Sequence, residues 1–242
     1  MDRIITRIST GFITSLVFLT GLSAQDDASF RLGLKAAPNF AWMRSDSKDL
    51  TSDGNRTGIT YGLLGDFRLN EAATYFFSTG ILLNNIGGKF KADATYEIDG
   101  VSTVVKSEQE LKLRYVELPL ALKLRTKTSG TFNFYGQFGV STAFNVRART
   151  DATTTSTANG ITTTTSVDDE DVISDIALFK MALVVGAGVE YSLSSGPTLF
   201  GGVTFNNAFT NALDGDAKKL LPNDKKSKLF ADYLEISLGV FL

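Results

Sequence analysis

The stretch that most restricts the fold is the final one, residues 229–242, in which apolar and polar positions alternate. One side carries Leu234, Ile236, Leu238, Val240 and Leu242, and the other carries Tyr233, Glu235, Ser237, Gly239 and Phe241. A period of two predicts a β-strand. A soluble sandwich hides its apolar face, whereas an outer-membrane barrel turns that face to lipid and the polar face to the lumen.

Seven earlier segments alternate in a similar way, and their spacing predicts the topology. The eight predicted strands are 30–44, 57–70, 75–86, 112–125, 132–148, 176–193, 198–212 and 229–242. The connections between them are alternately long and short, as in barrels with short periplasmic turns and long external loops. We therefore predict an all-β, eight-stranded, antiparallel up-and-down transmembrane β-barrel of the outer-membrane type, with four long external loops. Pro119, within the fourth strand, predicts a bulge or local kink.

Two of the long connections contain turn signals. Asp99-Gly100 and Asn159-Gly160 are dipeptides that suit two-residue type I′ hairpins, because both central positions need a positive φ. The first predicts that the third and fourth strands continue as a hairpin beyond the bilayer. The second lies in a threonine-rich, acidic segment, 149–175, for which we favour a mobile polar hairpin over disorder.

The amino terminus has the pattern of a secretory signal peptide. Arg3 and Arg7 precede an apolar run that starts at Gly11, and the small residues Ser23 and Ala24 follow it. The run is too short to span a bilayer as a helix, which disfavours a membrane anchor. We expect a signal peptide at 1–24 and a barrel domain at 25–242.

Composition removes several classes of function. The chain has no cysteine and no histidine, so it lacks thiolate metal ligands and the commonest catalytic base. Its formal net charge of −2 gives no reason to expect a nucleic-acid partner. The sequence therefore predicts no metal site, no cofactor and no catalytic residue.

The inward faces of the predicted strands carry charges of both signs. The predicted lumen charge network consists of Arg31, Lys35, Asp66, Arg68, Glu117, Lys123, Arg125, Lys180, Glu190 and Glu235. Buried charges need partners, so we expect a charge-paired lattice. An eight-stranded barrel is just wide enough for side chains to fill it, which predicts a plugged lumen with inward glycines opposite the long side chains. Catalysis by Glu117 and Glu235 is the alternative interpretation of the carboxylates.

The sequence resembles the PorT-like outer-membrane β-barrel family of Gram-negative bacteria. The resemblance is carried by residues 114–120 (RYVELPL), the glycine-rich strand 182–191 and the last strand, 233–242. The family usually closes on an aromatic residue, whereas Leu242 is last here and Phe241 has inward parity. The resemblance implies residence in the cell outer membrane and insertion by the barrel assembly machinery, and some members are associated with secretion. It supplies no catalytic residue.

The leading hypothesis is an integral outer-membrane protein with a structural or docking role. Its expected partners are outer-membrane lipid, the barrel assembly machinery during insertion, and an envelope protein that contacts the loops. Three alternatives remain open from the sequence: a soluble secreted barrel that binds an apolar ligand, a small outer-membrane pore, and an outer-membrane enzyme acting on lipids.

Overall fold

A computed structural model describes residues 29–47, 50–98, 101–126, 131–194, 196–214, 217 and 227–242. The predicted signal peptide lies outside these residues. The strands are β1 (Phe30–Ser45), β2 (Leu50–Arg68), β3 (Tyr75–Ile98), β4 (Val101–Arg125), β5 (Phe132–Ala158), β6 (Ile161–Asp171), β7 (Phe179–Ser192), β8 (Thr198–Ala208) and β9 (Leu229–Phe241). A 3₁₀ turn spans Ile173–Asp175. The described part of the chain contains no helix with the length and hydrophobicity needed to span a bilayer.

The sheet closes on itself through the first and last strands. β1 pairs antiparallel with β2 on one side and with β9 on the other, from Gly33 opposite Phe241 to Ser45 opposite Leu229. The remaining neighbours follow chain order, except that β5 pairs with β7 in the barrel wall. In the described residues β6 pairs with β5 alone. Eight strands therefore form the barrel, which confirms the predicted fold class.

The outward face of the barrel is apolar. Leu34, Leu63 and Leu238 are exposed at 45%, 47% and 64%. The polar residues that alternate with them point inward, where Asp66 and Asn39 are fully buried. Only a closed barrel or a helix satisfies every backbone group in lipid, and this barrel presents a continuous apolar surface for it. We call this surface, from Leu124 to Val116 on β4 and its equivalents on the other strands, the apolar belt.

Beyond the belt, the strands at one side continue as a sheet, which we call the extension. β3 and β4 pair as far as Ile98 opposite Val101, and β5 and β6 pair from Arg149 to the turn at Asn159 and Gly160. The latter two residues have φ of 49° and 76°, which fits a type I′ turn. The paired strands of both predicted hairpins are thus present, and the predicted turn at Asp99-Gly100 lies outside the described residues. The segment at Leu50–Arg56, predicted as loop, is also strand and adds an edge to the extension.

The predicted bulge at Pro119 is wrong. Pro119 is in regular register with Ser141 of β5, and the ladder to β3 is only interrupted there, between the pairs that Leu120 and Glu117 make. An interrupted ladder suffices, because proline lacks only one donor. The register shift between β4 and β5 lies between the pairs that Tyr115 and Arg114 make, where Val146 is the extra residue on β5.

Substitution of an outward residue tests which side faces lipid. Leu120 lies at the middle of the belt on β4 and Leu124 lies at its edge. In phospholipid vesicles we expect Leu120→Arg to lower the free energy of unfolding by about 2–4 kcal/mol and Leu124→Arg by about 0–1 kcal/mol, because the cost of a charge depends on depth. Urea titration measures both values. Equal effects at the two positions would contradict a lipid-facing belt.

A carboxylate in the extension gives a pH-dependent contact. Asp151 accepts a hydrogen bond from the Asp169 N–H at 2.8 Å and pairs with Lys112 at 2.6 Å. The Lys112 ammonium, and then the Asp169 N–H, lower the pKa of Asp151. A lowered folded-state pKa means that the contact stabilises the hairpin above the ordinary aspartate pKa and that this is lost as the pH falls through the lowered value.

We therefore expect the Asp169 amide to lose protection from hydrogen exchange as the pH falls below about 4, after correction for intrinsic rates. Asp151→Ala should remove the same protection at neutral pH while amides of the barrel wall keep theirs. An Asp169 amide that stays equally protected in both conditions would show that Asp151 does not hold this turn.

Candidate functional site

The end of the lumen near the short turns is crossed by ion pairs among five side chains, which we call the ionic cluster. Its members are Arg31, Asp66, Lys123, Arg125 and Glu190. Arg31 lies 2.8 Å from Asp66 and 3.1 Å from Glu190, and Arg125 lies 3.3 Å from Glu190. Lys123 lies 3.0 Å from Asp66 and 2.5 Å from Glu190. The two carboxylates thus share Arg31 and Lys123, and Arg125 pairs with Glu190.

The barrel wall explains how these residues meet. Arg31 and Asp66 are direct cross-strand partners on β1 and β2. Glu190 lies on β7, and it is reached from β1 on one side and from β4 on the other, so these bonds cross the lumen. Asp66 and Glu190 are fully buried, and a buried charge without partners would cost several kcal/mol.

Aromatic rings complete the surroundings of the cations. The Arg31 guanidinium lies 4.7 Å from the centre of the Phe76 ring and 4.5 Å from that of Phe241. The Lys123 ammonium lies 4.4 Å from the centre of the Tyr135 ring. The inward parity of Phe241 thus has a structural reason, since its ring contacts two cations of the cluster.

Glycines provide the space for these rings. A Cβ on Gly188 or Gly202 would lie 2.6 Å or 2.4 Å from the hydroxyl oxygen of Tyr135. A Cβ on Gly239 would lie 2.3 Å from the Phe200 ring. Because such distances are not tolerated, the large inward side chains depend on glycine at these positions.

The middle of the lumen holds a second polar group, the middle layer. Glu117 accepts hydrogen bonds from the Tyr233 hydroxyl at 2.9 Å, from Asn84 at 2.9 Å and from Asn206 at 3.3 Å. Lys35 pairs with Glu235 directly. Glu117 and Glu235 therefore have different partners, and neither has the free geometry of a catalytic pair.

Lys180 is held by neutral groups. Its ammonium donates to Asn206 at 3.1 Å and lies 4.9 Å from the centre of the Tyr233 ring. Among the described residues, no carboxylate oxygen lies within 4.0 Å of this ammonium. Arg68, the last of the ten predicted residues, is half-buried at the end of β2.

A small cavity separates the ionic cluster from the middle layer. Its volume is about 40 Å³, and its lining includes Lys35, Glu117, Lys123, Tyr135 and Glu235. Such a volume holds about one water molecule, at ~30 Å³ per molecule. The Oε2 atom of Glu235 is buried and has no hydrogen-bond partner among the described residues, so a water in this cavity is its natural donor. A charged cavity of this size has no space for a bulky apolar ligand.

The end of the lumen near the long connections is filled by apolar side chains, which we call the apolar cluster. Sequence reasoning missed it. Val172, Ile176 and Leu213 come from the connections after β6 and β8 and are buried with the strand residues. The cluster consists of Ala41, Met43, Leu50, Ile86, Phe90, Ala92, Leu111, Leu113, Tyr115, Ala143, Ala148, Val172, Ile176, Leu213, Ala217, Leu229, Ala231 and Tyr233.

The sequence did contain a signal for this cluster. On β4 the apolar residues point outward from Leu124 to Val116, but Leu113 and Leu111 point inward and are buried, while Lys112 and Arg114 point outward. The polarity of the two faces therefore inverts at the edge of the belt. An inverted alternation along one strand marks the level at which the wall leaves the membrane.

The described residues contain no group of three or more His, Cys, Asp or Glu side chains placed to hold a metal ion.

Residues 23–214 match the model of one protein family, described as the outer membrane protein beta-barrel domain. The chain belongs to this family. It is therefore an outer-membrane β-barrel protein, with the predicted localisation in the cell outer membrane; the PorT-like subfamily is a finer assignment than this match provides.

Solved structures similar to this barrel are distant in sequence. Neisserial surface protein A is 12% identical, with 89% of this chain and 97% of that chain covered and a TM-score of 0.43. OprG from Pseudomonas aeruginosa is 14% identical, with 88% and 94% covered and a TM-score of 0.48. The protease OmpT from Escherichia coli is 9% identical, with 92% and 98% covered and a TM-score of 0.36. No curated protein matches the chain significantly.

The ionic cluster should be essential to stability. Glu190→Gln leaves Arg31 and Lys123 with Asp66 as their single carboxylate and removes the carboxylate that Arg125 pairs with. We expect the free energy of unfolding to fall by about 3–5 kcal/mol, the usual cost of breaking a buried pair. Urea titration in vesicles measures this loss. Glu71→Gln, on the exposed turn at the same end, is the matched control and should change stability by less than about 0.5 kcal/mol.

A second variant separates charge imbalance from lost packing. The double variant Glu190→Gln with Lys123→Met removes one cation as well, so it should be more stable than Glu190→Gln alone. If the double variant is less stable by the sum of the two single losses, the ion pairs do not act as one network.

Proposed function

We propose that this outer-membrane barrel is a non-conducting, non-enzymatic docking protein, which holds the extension outside the membrane for contact with another envelope component. The observation that carries the proposal is the ionic cluster. Arg31 and Lys123 reach Glu190 across the lumen from opposite sides. These side chains would have to move for a path to open, and they are the side chains that stabilise the barrel.

The two ends of the lumen support closure independently. The ionic cluster lies at the short-turn end, and the apolar cluster lies at the other end with residues of two connections packed into it. Between them the cavity of about 40 Å³ is too small for a hydrated ion path. An ion would have to desolvate against Phe90 and Leu111, which are fully buried.

The carboxylates of the middle layer support a non-enzymatic role. A general base needs a lone pair directed at a substrate, but Glu117 accepts three protein hydrogen bonds and Glu235 pairs with Lys35. The cavity beside them has no room for a lipid acyl chain.

The extension supports docking. β6 has an edge that pairs with no other described strand, and all but one of its residues are exposed. An exposed edge is a template for strand addition, and natural proteins usually protect such edges with lysine or proline. Residues 161–167 have neither and carry no charge, whereas residues 168–171 are acidic. We propose that a partner with an extended segment pairs with this edge, and the resemblance to PorT-like proteins favours a partner from a secretion system.

Conductance measurements test the closed lumen. The purified barrel, inserted in a planar bilayer in potassium chloride, is expected to give no stepwise single-channel current, because the ion pairs and the apolar cluster occupy the lumen. A boiling-dependent shift in gel mobility confirms that the inserted protein is folded. Reproducible current steps from folded protein would support the pore alternative instead.

Site-specific crosslinking in intact cells tests docking. A photoreactive residue at Thr165, on β6, should give an adduct of one defined mass, whereas the same residue at Glu71, in a short turn, should not. Replacing residues 152–168 by Asn-Gly should abolish docking of the partner, while the barrel stays folded and heat-modifiable. If Thr165 gives no discrete adduct in cells that carry the full envelope, β6 is not the docking edge.

A further inference from the structure

A group of basic side chains lies where the apolar belt ends on β4 and β5. Val116 and Val146 are the last apolar residues of the belt on these strands, and Arg114 and Arg147 follow on the outward face, both exposed. The extra residue at Val146 places Arg147 directly after it, on the same face as Arg114. The two guanidiniums therefore lie at the level of lipid headgroups.

Basic residues of β4 and β5 lie directly opposite each other here, in two like-charged pairs. Arg114 is the cross-strand partner of Arg147, and Lys112 is the cross-strand partner of Arg149. Like charges directly opposite on adjacent strands are destabilising. Two such pairs in succession make a block of four cations, which we call the basic block.

The cations of the basic block are paired less closely with carboxylates on the side nearer the membrane. Lys112 lies 2.6 Å from Asp151, Arg149 lies 3.5 Å from Asp171, and Arg147 lies 3.6 Å from Asp169. Arg114 donates to the amide oxygen of Asn85 at 2.8 Å and, among the described residues, has no carboxylate within 4.0 Å.

The block also surrounds a concave site with one unused donor. A pocket of about 140 Å³ is lined by Arg56, Asn85, Lys112, Leu113, Arg114, Arg147 and Arg149, and by one carboxylate, that of Asp169. This is the volume of roughly four to five waters at ~30 Å³ each, which accommodates the five heavy atoms of a phosphate group. The Nε atom of Arg149 is buried and has no hydrogen-bond partner among the described residues.

We propose that the basic block binds a phosphate group on the headgroup of a membrane lipid in the leaflet at the long-connection end. Guanidinium groups donate paired hydrogen bonds to phosphate oxygens, and a phosphate between Arg114 and Arg147 relieves their mutual repulsion. Membrane lipid is the source of the phosphate because acyl chains attached to it would lie on Val146 and Phe144, which are exposed on the belt. Outer-membrane barrels turn their long connections outward, so this leaflet is the outer one.

The test compares two variants that remove the same charge. Arg114→Gln with Arg147→Gln empties the membrane side of the block. Lys89→Gln with Lys91→Gln removes two cations further along the extension, where Lys91 pairs with Glu108 at 2.9 Å, and serves as the control. Each protein is purified in detergent, and native mass spectrometry measures the binding of added lipid A that carries its phosphates.

We expect the arginine variant to bind this lipid at least about tenfold more weakly, as the loss of charge-assisted hydrogen bonds implies, and the lysine variant to bind within about twofold of the natural chain. Arg114→Lys with Arg147→Lys keeps the charge without the paired donors and should give an intermediate affinity. Heat modifiability confirms that each variant is folded.

Three outcomes would overturn the proposal. The first is equal binding by the arginine variant and the natural chain. The second is equal binding of lipid A and of the same lipid after enzymatic removal of its phosphates, which would place recognition in the acyl chains. The third is binding of inorganic phosphate as tight as that of the lipid, which would make a soluble anion the ligand. None of these measurements depends on a docking partner or on conductance.

Discussion

The structure depends on one requirement, which is that no backbone hydrogen-bonding group can remain unpaired in hydrocarbon. Pairing of β1 with β9 meets this requirement by closing the sheet. In the closed sheet, alternate residues of every strand face the outside and the lumen. Once the wall is closed, eight strands leave an interior of side-chain width. The inward residues are then forced into contact across the lumen, and their charges must neutralise each other there.

The interior divides into three levels with different chemistry. Ion pairs supported by aromatic rings lie at the short-turn end, amide and hydroxyl groups surround Glu117 in the middle, and apolar residues fill the end from which the extension leaves. The same strands supply all three levels, so the levels are set by position along each strand. This arrangement lets one wall meet lipid over the belt and water beyond it.

Much of the fold could be predicted from local patterns. Alternation in residues 229–242 predicted the closing strand, and Asn159-Gly160 predicted a hairpin whose two φ angles are positive as the turn type requires. The faces of Asp66 and Glu190 followed from parity. Their partners did not, because which cation meets which carboxylate depends on the stagger of the strands around the barrel. Leu50–Arg56 was assigned to a loop because its residues are polar, yet pairing with β3 makes it strand.

The inversion of polarity between Val116 and Leu113 also fixes how the protein sits in its membrane. A uniform apolar wall could slide along the bilayer normal or tilt when the membrane thickens or thins. Here movement inward would draw Arg114 and Lys112 into hydrocarbon, and movement outward would wet the leucines of the belt. The inversion thus sets the depth at which the barrel is inserted. A change in bilayer thickness must then be accommodated by lipid at the opposite rim, near the short turns.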